Sequence, residues 1–151
     1  MRFGSAGNIY VGHRLMTEFL KKSSLALWLL LALTMIGAPA EEDPVTSGQK
    51  WLSLVDDRKY EESWHQASSM FRREVTQENW IAALKRSREP LGPLVSRTSS
   101  KLEFSKFLRG APEGDYAIIH FTTSFTGKSA TERLTLLKED GKWQMAAYGI
   151  Y

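Results

Sequence analysis

The spacing of apolar residues in this chain changes at Pro93, and that change restricts the folds it can adopt. Upstream of Pro93, apolar residues recur every three or four positions, which is typical of helices with one buried face. Downstream they recur every second position, as in strands with one buried face. Helices followed by a run of strands indicate an α+β fold with an antiparallel sheet.

The upstream pattern predicts three helices, over about residues 44–56, 60–71 and 77–89. Thr76 is the expected N-cap of the third helix, because its hydroxyl can accept a free backbone N–H. In the second helix, apolar and small residues fall on a single face: Tyr60, Ser63, Trp64, Ala67 and Phe71.

The downstream pattern predicts four strands, over about residues 94–107, 116–126, 131–138 and 143–151. The alternation is most regular in the second strand and is irregular in the first, which indicates a bulge or bend there. Asp140-Gly141 is a strong signal for a two-residue hairpin between the last two strands. We therefore expect the three helices to lie across one side of a curved four-stranded antiparallel sheet.

The N-terminal region has the pattern of a signal peptide. Lys21-Lys22 precedes a 12-residue apolar run, Leu25–Ile36, and small residues follow it up to Ala40. We expect residues 1–40 to be a secretory signal cleaved between Ala40 and Glu41. The mature protein would then be a single domain, residues 41–151, exported and in the periplasm.

Two alternatives concern this leader. An uncleaved Leu25–Ile36 segment would anchor the protein in the membrane, although it is shorter than the roughly 20 apolar residues of a spanning helix. Met16 is an alternative start of the chain, because residues 1–15 fit the signal pattern poorly. Contact with a membrane is expected only through this N-terminal segment, if it is retained.

The charge distribution argues against a nucleic-acid partner. The net charge is +3, but residues 1–40 carry that excess, whereas residues 41–151 contain 16 Lys and Arg and 16 Asp and Glu. Nucleic-acid binders usually show a basic surplus, because they neutralise phosphates. The chain has no Cys, which excludes disulfides, thiol catalysis and thiolate metal sites. We expect no cofactor and no metal site.

Two groups of residues are candidates for function. His120 and Tyr116 share one face of the second predicted strand, where they could act as acid and base if that face lines a hollow. The alternative is an ordinary strand histidine. Arg72-Arg73, Arg88 and Arg97 could bind an anionic partner. The alternative is ordinary surface charge, with Arg88 or Arg97 holding the Pro90–Gly92 turn through backbone carbonyls.

A set of residues spread over about positions 47–151 resembles the bacterial exported proteins grouped as domain of unknown function number 4019. The order and spacing of the set carry the resemblance, not a single motif. The matching residues are Trp51, Leu52, Leu54, Val55, Asp56, Ser63, Trp64, Phe71, Arg72, Val75, Thr76, Trp80, Arg88, Pro90, Leu91, Gly92, Gly110, Ala111, Pro112, Gly114, Tyr116, Phe121, Thr123, Phe125, Gly141, Trp143, Tyr148 and Ile150.

The resemblance implies a cystatin-like or nuclear-transport-factor-like cone, in which helices cover a curved sheet, and it implies no activity, cofactor or catalytic residue. The chain departs from the family at Asp57-Arg58, where a small residue or Gly is expected. We expect a noncatalytic binding or interaction module of the cell envelope, with a homodimer through the sheet as one possible assembly. The alternative is a small acid–base enzyme of the isomerase or dehydratase type that uses His120 with Tyr116 or a nearby carboxylate as acid and base.

Overall fold

The structure is a computed structural model that describes residues 42–151. The expected signal peptide, its Leu25–Ile36 segment and the cleavage site between Ala40 and Glu41 lie outside the described residues. Within residues 42–151 the chain forms four α-helices and a four-stranded antiparallel sheet, an α+β fold. The elements are α1 (Pro44–Asp56), α2 (Tyr60–His65), α3 (Ser69–Glu74), α4 (Gln77–Ser87), a 3-10 turn (Glu89–Leu91), β1 (Leu94–Ser105), β2 (Tyr116–Phe125), β3 (Ser129–Glu139) and β4 (Lys142–Ile150).

The expected second helix is two helices, so the prediction of three helices is wrong. Ala67 leaves the helical path and forms a parallel bridge with Met145 of β4. The backbone N–H of Ser68 donates to the carbonyl of Met145 at 2.7 Å. The Ser68 hydroxyl then accepts from the N–H of Phe71 at 3.1 Å and begins α3. Pairing with β4 therefore takes the place of one turn of helix.

Polar side chains define where the other helices begin. Asp43 caps α1 by accepting from the N–H groups of Val45 and Thr46. The Thr76 hydroxyl accepts from the N–H of Asn79 at 3.3 Å, so the expected N-cap of α4 is confirmed. Between α1 and α2, Arg58 takes a positive φ of 59°. The departure from the family pattern thus falls on a residue in the left-handed region, which favours glycine.

The strands follow one another across the sheet in chain order, β1-β2-β3-β4. In the middle of the sheet Ile119 lies opposite Leu102 on one side and Leu134 on the other. Asp140 and Gly141 form the predicted hairpin turn, with φ values of 49° and 76°. The register shifts between Ser99 and Lys101 in β1, as a β-bulge does.

The core lies between the helices and the face of the sheet that carries Ile119. Trp51 and Trp80 meet there, with ring centroids 5.9 Å apart. Both indole N–H groups donate to Ser63, at 2.8 Å to its carbonyl and 2.9 Å to its hydroxyl. Gly48 lets α1 lie close to the sheet, since a Cβ there would come within 2.8 Å of Leu134.

The two edge strands approach each other on the helix side of the sheet. Phe104 belongs to β1 and Trp143 to β4, yet their ring centroids are 6.2 Å apart. The backbones of strands separated by two others are about 14 Å apart in a flat sheet. The short ring distance therefore indicates that the sheet is curved toward the helices.

Candidate functional site

Two of the predicted binding residues, Arg88 and Arg97, meet at one carboxylate, that of Asp56 at the end of α1. Arg88 Nη2 donates to Asp56 Oδ1 at 2.9 Å. Arg97 Nη1 donates to Asp56 Oδ2 at 2.6 Å, and its Nη2 donates to Oδ1 at 3.1 Å. The arginines come from the end of α4 and from β1, so Asp56 joins three parts of the fold.

Glu132 of β3 is the second carboxylate of this cluster and is fully buried. Arg97 Nε donates to Glu132 Oε2 at 2.6 Å, and Arg97 Nη2 donates to Oε1 at 3.2 Å. The hydroxyls of Thr123 and Tyr148 also donate to Glu132. We call these six residues the ion cluster: Asp56, Arg88, Arg97, Thr123, Glu132 and Tyr148.

The environment of the ion cluster shifts the pKa values of Arg97 and Tyr148. Burial would lower the pKa of Arg97, but its hydrogen bonds and charge pairing with Asp56 and Glu132 outweigh this and raise it. Burial, and then the charge of Glu132, raise the pKa of the Tyr148 hydroxyl. The cluster therefore favours the charged form of Arg97 and the protonated form of Tyr148.

Arg88 also holds the turn that follows α4. Its Nη1 donates to the carbonyl of Gly92 at 2.7 Å, the alternative role considered from the sequence. Its guanidinium lies 4.0 Å from the ring centroid of Phe125. Its Nε is buried and has no hydrogen-bond partner among the described residues.

The ion cluster is arranged to hold the fold together. Each of its four carboxylate oxygens accepts at least one hydrogen bond from another member. The side chains of Arg88 and Arg97 are 5% and 8% exposed. Because the arginines and the carboxylate oxygens pair with one another and are buried, the cluster offers little to an external ligand.

The other two predicted binding residues lie on α3, outside the ion cluster. Arg72 Nη1 donates to the carbonyl of His65 at 2.7 Å and also to that of Ala67. Arg73 Nη1 donates to the Ser69 hydroxyl at 3.1 Å. Arg72 therefore supports the break between α2 and α3.

The candidate acid–base residues share the sheet face that points away from the main core. Tyr116 is buried, and its hydroxyl donates to the carbonyl of Pro112 at 2.7 Å. Burial, and then the charge of Glu139, raise its pKa. His120 Nε2 lies 4.0 Å from Glu103 Oε2. Four residues along a strand span about 13 Å, so the structure places His120 beside Glu103 and not beside the Tyr116 hydroxyl.

A surface depression of about 570 Å³ lies beside α2 and α4. Its wall mixes cations and carboxylates, so it favours neither sign of charge. The lining residues are Arg58, Lys59, Tyr60, Glu61, Glu62, His65, Ile81 and Lys85. Within residues 42–151 no three His, Asp or Glu side chains are placed to hold a metal ion. The same residues include no helix with the length and apolar character needed to cross a membrane.

Sequence reasoning missed the surface along β1. Ten of its twelve residues are exposed, and the described residues place no strand on the side of β1 that faces away from β2. Four of the exposed side chains are apolar: Leu94 at 37%, Val95 at 63%, Leu102 at 39% and Phe104 at 64%. We call this surface the β1 edge. By contrast, Ala67 and Ser68 cover part of the opposite edge, at Met145.

No signal in the sequence marked β1 as an open edge. Its irregular alternation indicated a bulge or bend, which the structure confirms between Ser99 and Lys101. Exposure of Phe104 depends on how far the helices extend over the sheet. That extent is set by tertiary packing and not by local spacing.

The family comparison fits the boundaries of the described domain. A family model described as "Protein of unknown function (DUF4019)" matches residues 47–148, from the first turn of α1 into β4. The search of curated proteins gave no match.

Proposed function

Since the chain belongs to the DUF4019 family, whose function is unknown, we propose that it is an exported, noncatalytic interaction domain of the bacterial cell envelope that binds a protein along the β1 edge. The observation that carries this proposal is the exposed strand with apolar side chains at Val95, Leu102 and Phe104. Edge strands of monomeric proteins are usually short, covered or charged, because an open edge pairs with other chains.

The β1 edge suits strand addition, in which backbone hydrogen bonds give affinity and side-chain contacts give specificity. Phe104 projects on the helix side of the sheet, next to Trp143. Lys101 and Glu103 project on the other side, as an ion pair of 3.0 Å. An added strand would therefore meet an apolar row on one face and a charged row on the other.

Export is the part of the proposal that rests on the leader. Its support is the basic pair Lys21-Lys22, the apolar run Leu25–Ile36 and the small residues that precede Glu41. N-terminal sequencing of the protein recovered from both the periplasmic and the membrane fractions tests it. A mature chain that begins at Glu41 would support a cleaved signal. A product that retains Leu25–Ile36 would support the membrane-anchored alternative.

We also infer a cone of the cystatin-like or nuclear-transport-factor-like kind. The helices on one face of the sheet and the close approach of Phe104 to Trp143 support it. One fold can host many unrelated functions, so the fold does not decide the activity.

Acid–base catalysis by His120 remains a prediction. The 4.0 Å approach of His120 to Glu103 supplies one carboxylate neighbour. Tyr116, one of the two expected second groups, already donates a hydrogen bond from its hydroxyl to the carbonyl of Pro112. We prefer the noncatalytic interpretation because it uses the β1 edge, which is exposed and has no further strand paired with it among residues 42–151.

Site-specific photocrosslinking in cells tests the interaction. The full chain is expressed with p-benzoylphenylalanine in place of Phe104, where an exposed aromatic ring already stands. The control carries the same group in place of Ser53, an exposed residue of α1. We expect a discrete protein adduct from position 104 and none from position 53. Absence of an adduct at position 104, or equal labelling at both positions, would reject the β1 edge as an interaction surface.

A further inference from the structure

We propose that the protein bound along the β1 edge is a second copy of this chain, paired antiparallel with the first about a two-fold axis at Leu102. This inference rests on the proposed function and adds the identity of the partner. Two copies would then share one continuous eight-stranded sheet, with β1 of each copy at its centre. A two-fold pairing of this kind uses the same surface on both copies.

In this register, each charged residue at the centre of β1 lies opposite a residue of the opposite charge on β1 of the second copy. In an antiparallel pair centred on Leu102, Lys101 lies opposite Glu103 of the second copy, and the symmetry repeats the contact. The two residues project on the same face of the strand and already form an ion pair within one chain. Their side chains are 60% and 47% exposed, so both can reach a neighbouring strand. Pairing would create a cluster of four alternating charges.

The neighbouring registers are disfavoured by the same residues. Centring the pair on Lys101 would place two lysines opposite each other, and centring it on Glu103 would place two glutamates opposite each other. Like charges directly opposite on paired strands are destabilising. The charges of β1 therefore select Leu102 as the centre.

The apolar residues of the β1 edge fit this register on the other face. Leu102 would lie opposite its own copy, and Phe104 would lie next to the bulge, where the small residue Ser100 leaves room for its ring. Leu102 and Phe104 are 39% and 64% exposed in the single chain, so the pairing would cover apolar surface. The bulge between Ser99 and Lys101 shortens the regular ladder. We therefore expect a dimer that dissociates on dilution.

Charge exchange between Lys101 and Glu103 tests the register. The full chain is expressed, and the protein that the cell produces from it is purified, whether or not the leader has been cleaved. Sedimentation velocity over a range of concentrations then measures its association. Lys101→Glu and Glu103→Lys should each weaken association by roughly ten-fold or more, because each places like charges opposite each other. An equimolar mixture of the two variants should associate, since every contact in the mixed pair is then between opposite charges. The double exchange K101E/E103K should also restore association.

Lys128→Glu is the matched control, because it makes the same charge change in an exposed turn outside β1 and should leave association unchanged. Circular dichroism melts show whether each variant is folded. A wild-type protein that stays monomeric at all concentrations would overturn the proposal. A mixture that associates no better than its components would overturn it as well.

The outcomes separate this inference from the proposed function. An adduct at position 104 with the mass of two chains, together with the charge-exchange pattern, supports both. An adduct with a different protein and a monomeric wild type rejects the second copy but keeps the β1 edge as an interaction surface. No adduct and a monomeric wild type reject both.

Discussion

Arg97 of β1 and Glu132 of β3 form a two-bonded ion pair across the intervening strand, although 35 residues separate them in the sequence. Arg97 uses its remaining donors on Asp56 of α1. One guanidinium thus joins the first helix to two strands of the sheet. Because these groups are buried, removal of one carboxylate leaves the cluster with an excess positive charge that water cannot solvate.

The first prediction concerns Glu132. Glu132→Gln keeps the size of the side chain but removes its charge, and it should lower the free energy of unfolding by about 3–5 kcal/mol. Urea denaturation measures this. The matched control is Asp57→Asn, at an exposed ion pair with Lys59 of 3.6 Å, which should change stability by less than about 1 kcal/mol. Equal effects of the two variants would show that the ion cluster does not hold the fold together.

The second prediction concerns Tyr148 and pH. Burial and Glu132 raise the pKa of its hydroxyl, so the folded protein keeps this proton at a pH where the unfolded chain releases it, above about 10. The contribution is fully present below pH 10 and is lost as pH rises further. Tyr148→Phe should cost about 1–2 kcal/mol at pH 7 through its lost hydrogen bond. Its stability should then fall less steeply above pH 10 than that of the wild type, as measured by urea denaturation at several pH values.

The third prediction concerns the turn after α1. Arg58 has a φ of 59°, a conformation that costs an ordinary L-residue roughly 1–2 kcal/mol and costs glycine little. Arg58→Gly should therefore raise the free energy of unfolding by about 0.5–1 kcal/mol, after the greater flexibility of the unfolded chain is included. Lys59→Gly is the control, because Lys59 has a φ of −80° and gains no such relief. Stabilisation by both variants, or by neither, would contradict the argument.

The fourth prediction compares two glycines of positive φ. Gly92 has a φ of 80°, and a Cβ there would lie 2.3 Å from the hydroxyl oxygen of Thr126. Gly141 has a φ of 76° and nothing within 4 Å of such an atom. Gly92→Ala should cost about 2–4 kcal/mol from strain and crowding together, against about 1–2 kcal/mol for Gly141→Ala. Thermal or urea denaturation measures the loss in free energy of unfolding for each variant. Similar losses for the two would show that the structure relieves the crowding at Gly92.

Local patterns in the sequence were sufficient for most of the fold. The alternation along β2 and the Asp140-Gly141 turn depend on neighbouring residues, and both were predicted correctly. The break between α2 and α3 was not predicted, because Ala67 and Phe71 fit one helical face. Its cause is the bridge from Ala67 to Met145, which is distant in sequence. A contact of that kind leaves no trace in local periodicity.

Only the two arginines of the ion cluster were predicted from the sequence, and the reason is again that its contacts join distant residues. Arg88 and Arg97 were candidates because they are basic, but Asp56 and Glu132 were not identified as their partners. The available signal was the place of Glu132 in its strand, since it alternates with Ala130 and Leu134 and so points toward the core. A carboxylate at a core position requires a buried cation, which the sequence could have suggested without naming Arg97.

The connection between α2 and α3 also limits how far this sheet can grow. Ala67 and Ser68 occupy the outer side of β4 at Met145. In the described part of the chain, β1 is therefore the edge strand available to pair with a strand of another molecule. Once one strand has paired with β1, the described part of the chain offers no second edge strand that is equally exposed. Crowding the molecules together should therefore produce discrete particles of fixed size, and elongation into fibrils would first require those two residues to detach.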